Sequence, residues 1–383
     1  MKRAIIFAFV LFATIYLVNA QPSVNLISNK NDGNSTFINF TINTTSLNYV
    51  QFATNFTGKW VNVTIGGNVT RFIMNFRNNT VAANDNFYLD ESGYLRNGTC
   101  RTLTNSNCPV GNKIVNWDTN YGSISEGFNN GGATGIKVAD SQALDIGGSQ
   151  TIEARIYKTQ TVSSSHHIIS HFLSGGHASD DWILGVYSGL NSGDIECQFF
   201  LSGSQPAAYA HANTVQLNTW LDIACIFDGS AIKVYVNGTE VGSVSASDTR
   251  RSAAATNQLL QIGYSENYGK YFDGLVDNIR IYDGALVREL NTSKFMEFGY
   301  KDGAFYVNVT SNQNQATSYF YIYTNQTNGE SATSSVTQFG GAIVQDTTPP
   351  SITYYNLTNE NGCESWNTDK TTACSTSFVN PSV

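Results

Sequence analysis

The sequence predicts an all-β protein, and three observations carry that expectation. Apolar and polar residues alternate along most of the chain, at the period of two that turns one face of a strand toward a core. Turn pairs such as Asp228-Gly229 and Asn237-Gly238 separate the alternating runs, and both residues of the second pair tolerate the positive φ of a two-residue hairpin loop. Only 13% of the 383 residues are charged, while 12% are aromatic. Asn, Ser, Thr and Gly fill the polar positions instead, which suits many short strands joined by turns rather than helical bundles or charged disorder.

The length allows two or three domains, each with its own core. A formal charge of −8, with Lys2-Arg3 and Arg250-Arg251 as the basic runs, excludes nucleic acid as a partner, because phosphate contacts need clustered Lys and Arg. Lys2 and Arg3 precede an apolar stretch from Ala4 to Val18, and Val18-Asn19-Ala20 offers compact residues for cleavage after Ala20. Residues 1–20 therefore read as a signal peptide, and the remainder as exported to the cell surface or beyond. No second apolar run of spanning length follows, so no membrane span is expected in the mature chain. In an oxidising compartment the six cysteines can pair. Cys100 with Cys108 and Cys363 with Cys374 flank short polar turns, and Cys197 and Cys225 lie on two strands expected to be neighbours. These three local pairs are expected among about fifteen connectivities.

Residues 21–70 alternate through 23–27, 36–42 and 60–65, the last ending at Gly66-Gly67. From 71 to 298 the strands are clearer. Residues 151–157 put Ile152, Ala154 and Ile156 on one face, and 182–187 form another run. Residues 220–227 lead through Asp228-Gly229 into 232–236, which turns at Asn237-Gly238 into 239–244. Residues 259–263 and 275–282 complete the set. Trp220 reads as a core residue at the head of its strand. Such antiparallel runs with hairpin turns imply a two-sheet sandwich. Residues 299–348 alternate again through 302–309 and 318–323, before Pro349-Pro350 forces a stiff, extended connector.

The string Trp220…Cys225…Phe227-Asp228-Gly229…Val234-Tyr235-Val236-Asn237-Gly238, followed by Ile262-Gly263 and Phe272-Asp273-Gly274-Leu275-Val276-Asp277-Asn278-Ile279-Arg280-Ile281-Tyr282, resembles the laminin G-like and pentraxin-like jelly-roll. The resemblance implies a concanavalin A-like two-sheet jelly-roll over residues 71–298, used for binding or adhesion. It also implies calcium, with Asp90 and Asp277 as ligands where the first and last strands meet. Pentraxins pair the cysteine corresponding to Cys225 with one on an early strand, where this chain has Ala154 and Arg155; Cys197 is the nearby substitute. Residues 21–70 resemble part of an immunoglobulin-like β-sandwich, too short to be a whole one. With 299–348 they would make two halves of one domain with the jelly-roll inserted, and 349–383 would begin a further, truncated repeat. The Asp346-Thr347-Thr348-Pro349-Pro350 junction resembles those between repeats of prokaryotic, including archaeal, surface proteins.

Glycoside hydrolases of this jelly-roll class carry paired carboxylates two residues apart on one strand. No Glu-x-Asp-x-x-Glu string occurs, and no Gly-x-Ser-x-Gly elbow, so catalysis is not expected. Asp180 and Asp181 are adjacent and read as a polar turn. On a regular strand His167 and His171 share a face about 13 Å apart, too far for one metal ion, and with His166 they read as surface or edge-strand residues. A carbohydrate site needs aromatic platforms beside amides or carboxylates. The candidates are Trp182, Tyr264, Glu266, Asn267, Tyr268 and Tyr271, with the loop 264–271 foremost. Sequons are dense, from Asn34 to Asn356. The leading expectation is therefore a non-catalytic surface protein that binds a glycan or an extracellular protein. The alternatives are a glycosylated structural coat component and a glycan hydrolase. Two carboxylates about 5–10 Å apart in a groove would support the last.

Overall fold

The computed structural model describes residues 22–31, 35–44, 46–56, 60–76, 87–100, 126–128, 134–159, 165–173, 181–187, 194–202, 207–210, 215–247, 258–266, 268–286, 296–310, 318–339, 354–355, 365–366 and 372–373. The described residues form strands, turns and loops without a helix, and none of them forms a helix long and apolar enough to cross a membrane. The leader, Cys108, Cys363, Cys374, Asn267 and Asp180 lie outside the described residues.

Two large antiparallel sheets form the jelly-roll. One has seven strands, in the order Thr239–Ser245, Ala231–Val236, Trp220–Phe227, Gln150–Lys158, Gly274–Asp283 and Thr70–Met74, with Glu126–Phe128 also on Gly274–Asp283. The other has eight: Ala207–Ala210, Asp194–Phe199, Trp182–Tyr187, His166–Leu173, Gln258–Ile262, Ile136–Val138, Gly98–Cys100 and Phe87–Tyr88. Strand periodicity decides what lies between them. Ile152, Ala154, Ile156, Leu221, Ile223 and Phe227 point inward from the first sheet, and Trp182, Leu184, Val186, Ile195 and Phe199 from the second, in one continuous core. Each such large side chain contributes about 1.5–3 kcal/mol on burial.

The same periodicity corrects two expectations. Leu221, Ile223, Cys225 and Phe227 are the inward residues of their strand, so Trp220 faces outward, half-buried against Tyr157 at 5.4 Å. Cys197 and Cys225 are disulfide-bonded, but their strands belong to opposite sheets, so the bond crosses the core instead of joining neighbours. Cys100 is also disulfide-bonded.

A second pair of sheets draws strands from both ends of the chain. One runs Ser23–Asn31, Ser35–Asn43, Ala304–Thr310, Met296–Lys301. The other runs Ser331–Thr333, Ser318–Gln326, Leu47–Thr54, Val61–Gly66, with Thr337–Phe339 also on Ser318–Gln326. Phe40 lies opposite Phe305, and Phe52 opposite Ile322. These residues meet in a core with Val63, Phe298, Val307 and Phe320. The strand Thr70–Met74 serves both units, because Phe72 and Met74 face the jelly-roll core while Ile73 faces the second one. Three short strands, Tyr354–Tyr355, Ser365–Trp366 and Thr372–Ala373, pair with one another further on.

Candidate functional site

The residues that face away from the core on the eight-stranded sheet are unusually polar for a surface so well covered. On Asp194–Phe199 the inward residues are Ile195, Cys197 and Phe199, so Asp194, Glu196 and Gln198 share the outward face. Asp194 and Glu196 are buried, and Gln198 is half-buried. Opposite them on the next strand stand Tyr187, Gly185 and Ile183. The following strand presents Ser170 opposite Ile183 and Gln261, and Phe172 opposite Leu259. Phe172, Ile183 and Phe200 form a separate apolar cluster on this face, and the half-buried Tyr268 covers it.

A β-bulge between His167 and Ile169 reorganises this strand and corrects the reading of its histidines. The extra residue reverses the alternation. His171, opposite Trp182, therefore turns inward, and its ring stacks on that of Trp182 at 5.9 Å. His167 remains on the outward side, with its ring 5.4 Å from Tyr268. The two do not share a face. Nor are the three histidines on the surface, since His166, His167 and His171 are 4%, 4% and 0% exposed. Asp181 is likewise no solvated turn residue: it is buried, and its Oδ2 lies 3.1 Å from His171 Nδ1. Gly185 accommodates the bulge, because a Cβ there would meet the His166 carbonyl oxygen at 2.8 Å.

The candidate ligand residues divide. Trp182 points inward with Leu184 and Val186, and Tyr264 is fully buried with its ring against Gly135. Neither ring is open to a ligand, which corrects their assignment as platforms. Tyr264–Ser265 and Lys270–Tyr271 pair as a small hairpin whose backbone amide at Glu266 donates to Gln261 Oε1 at 2.8 Å. The hairpin thus leans over the outward face of the sheet, which brings Tyr268 within 5.1 Å of Phe172. Glu266 is exposed and Tyr271 half-buried.

Asp90 and Asp277 are not brought together. Asp90 is buried, and its carboxylate accepts hydrogen bonds from the Ile73, Ser92 and Arg96 amides and the Ser92 hydroxyl, at 2.8–3.1 Å. That set clasps a turn and leaves little of the oxygen surface for an ion. Asp277 accepts from the Asn278 amide and lies three residues from Arg280, the partner of Ile73. That is about 10 Å along the strand from the Asp90 contact. The two residues do not fit a shared calcium ion, and no group of metal-ligating side chains occurs among the described residues.

The end of the sandwich beside Tyr268 is rich in nitrogen bases. Burial, only partly opposed by Asp273, holds the Lys158 ammonium down to about 8. Burial, with Lys158 and Lys270 nearby, lowers His166 to about 4, against the opposing pull of Asp273. His167 is lowered to about 3 by burial and by the neighbouring Lys270 and His166. Both imidazoles are neutral at pH 7.

The Asp194-x-Glu196 spacing, on a strand whose intervening residues are apolar, was a signal available in the sequence. Its recognition required knowing which face of the strand looks outward.

Residues 130–290 match the family model of the concanavalin A-like lectin/glucanases superfamily. No curated protein matches the chain in sequence. Among solved structures, the chain is similar to domain 4 of AbnA, a GH43 extracellular arabinanase from Geobacillus stearothermophilus, in complex with arabinotriose. That match has 18% identity and a TM-score of 0.39, over 59% of this chain and 97% of that one. It is also similar to the Trypanosoma rangeli sialidase, at 12% identity and a TM-score of 0.38, over 61% of this chain and 32% of that one. The Ruminococcus gnavus IT-sialidase CBM40 bound to α2,3-sialyllactose matches at 14% identity and a TM-score of 0.33, over 49% of this chain and 92% of that one. The family match thus covers residues 130–290 of a longer all-β chain.

Proposed function

We propose that this protein is an exported, non-catalytic glycan-binding protein that uses the outward face of the eight-stranded sheet. The observation that carries the reading is the half-buried Tyr268 ring. It lies on Phe172 and His167, and the Phe172 cluster reaches Ile183, opposite the half-buried amide of Gln198. A ring platform beside amide and carboxylate groups is what a sugar requires, since pyranose C–H faces stack on aromatics while hydroxyls need directed hydrogen bonds. The match of residues 130–290 to the model of a lectin and glucanase superfamily supports the same class of ligand. Location at the cell exterior rests on the Lys2-Arg3 and Ala4–Val18 leader.

A hydrolytic reading draws on Asp194 and Glu196, which share one face about 7 Å apart between Cα atoms at the usual strand rise. Both are already engaged with other groups, which favours structural roles for them. The purified mature chain on a glycan array tests the main reading. Binding to a defined set of glycans, weakened at least tenfold by Tyr268→Ala and by Gln198→Ala, is the expected result. A folded protein that binds no glycan would overturn it in favour of a coat component, and release of reducing ends from a bound glycan would favour the hydrolase.

A further inference from the structure

We infer that the end of the jelly-roll beside Tyr268 holds an oxyanion subsite, built from Lys158, His166, His167 and Lys270, which selects acidic sugars. This deepens, and rests on, the glycan-binding reading of the adjoining sheet face.

Both sheets contribute. Lys158 ends the strand Gln150–Lys158 in the same alternation as the core residues Ile152, Ala154 and Ile156, so it points between the sheets. His166 opens its strand opposite the inward-facing Val186, so it enters the same space from the other side. His167 follows on the outward face, in contact with Tyr268. Lys158, His166 and His167 are 2%, 4% and 4% exposed. Yet Lys158 Nζ, His166 Nδ1 and His167 Nδ1 have no hydrogen-bond partner among the described residues. A buried donor left unmade costs about 1–3 kcal/mol, and native proteins seldom keep several in one place without a use for them.

Charge identifies the missing partner. Lys270, half-buried on the hairpin, is close enough to depress both imidazoles. Asp273 is the carboxylate that Lys158 and His166 both sense, and one of its oxygens already accepts from Thr159 Oγ1 at 3.0 Å. One carboxylate against two ammoniums and two imidazoles leaves room for an incoming anion. The Tyr268–His167 contact sets this cluster one ring away from the aromatic platform, the reach of a carboxylate or sulfate on a stacked sugar.

Protonation gives the subsite a pH signature. Lys158 sheds its proton as pH rises past about 8, so affinity for an anion falls there. As pH falls toward about 4, a bound anion draws protons onto His166 and then His167, which burial chiefly, and Lys158 and Lys270 in addition, otherwise keep neutral, so affinity rises. The change approaches tenfold per pH unit for each proton coupled to binding.

The test is a panel of oligosaccharides in matched pairs, presented to the whole mature chain. Uronate-containing chains are set against their methyl esters, and sulfated chains against their desulfated forms. The inference expects the acid member to bind at least tenfold better, with the preference removed by Lys158→Met and reduced by Lys270→Gln, while the neutral member still binds both variants. Preference for uronates alone or for sulfates alone identifies the anion. Equal binding within pairs overturns the subsite and leaves the glycan reading standing. Absence of binding to either member overturns both.

Discussion

The Asn75 side-chain amide donates to the Glu91 carboxylate at 2.6 Å, and the same nitrogen lies 2.8 Å from the Phe298 carbonyl and 3.0 Å from the Tyr306 hydroxyl. Asn75 directly follows a strand of the jelly-roll, while Phe298 and Tyr306 belong to the second sandwich. Glu91 receives the Tyr306 hydroxyl as well, and its carbonyl accepts from the Tyr300 amide at 2.6 Å. Arg280 continues the junction, with its guanidinium 4.1 Å from the Phe298 ring. The two units are thus joined by a buried polar network and by a strand whose alternate residues enter both cores.

Asn75→Ala breaks this network and strands buried acceptors. It is expected to lower stability by about 2–4 kcal/mol, because a charge-assisted bond and its neighbours are lost together. Urea unfolding followed by tryptophan fluorescence measures the loss, and a change below about 0.5 kcal/mol would remove the network's importance.

Reduction of the Cys197–Cys225 bond, or Cys225→Ala, reopens a 28-residue loop in the unfolded chain. Chain entropy gives about 3–4 kcal/mol of destabilisation. A drop in Tm on adding reductant, clearly smaller in a variant already lacking Cys225, is the expected signature.

Gly185→Ala would push a methyl group into the His166 carbonyl oxygen, which is backbone and cannot swing aside. The bulge that separates His167 from His171 would shift, at a cost of about 1–3 kcal/mol. Glycan binding at Tyr268 should weaken with it, and retained affinity in the folded variant would show that the bulge does not position His167.

Asp228 gives a pH test independent of any ligand. Burial alone would raise its carboxyl, but the Lys233 ammonium at 2.8 Å and the bonds from Ser230 and Ala231 together lower it to about 2. A folded value below the unfolded one stabilises above the unfolded pKa, and the contribution is lost as pH falls from about 4 to about 2. In this half-exposed setting it amounts to about 1 kcal/mol after solvent screening. Asp228→Asn should therefore be less stable than the parent at pH 7 and nearly equal to it at pH 2.

What the sequence determined by itself is local. Strand after strand, the alternation at Ile152-Ala154-Ile156 and the turns at Asp228-Gly229 and Asn237-Gly238 follow from the period-two geometry of the backbone and from residues that tolerate positive φ. The all-β class and a two-sheet sandwich follow from them, while the jelly-roll was legible through the family resemblance of residues 220–282. The tertiary structure alone decided which face of a strand is buried, and with it the fate of particular residues. Trp182 and Trp220 each begin an alternating strand, yet one is core and the other half-exposed, because pairing phase is set by the partner sheet. The bulge at Ile168 separated two histidines that a regular strand would align. Bonding across the core, between Cys197 and Cys225, and pairing between residues as distant as Phe40 and Phe305 are long-range events that no local pattern encodes. The cluster of Lys158, His166, His167 and Lys270 exists for the same reason: its members come from a strand of each sheet and a hairpin, and only packing brings their nitrogens to one end of the sandwich.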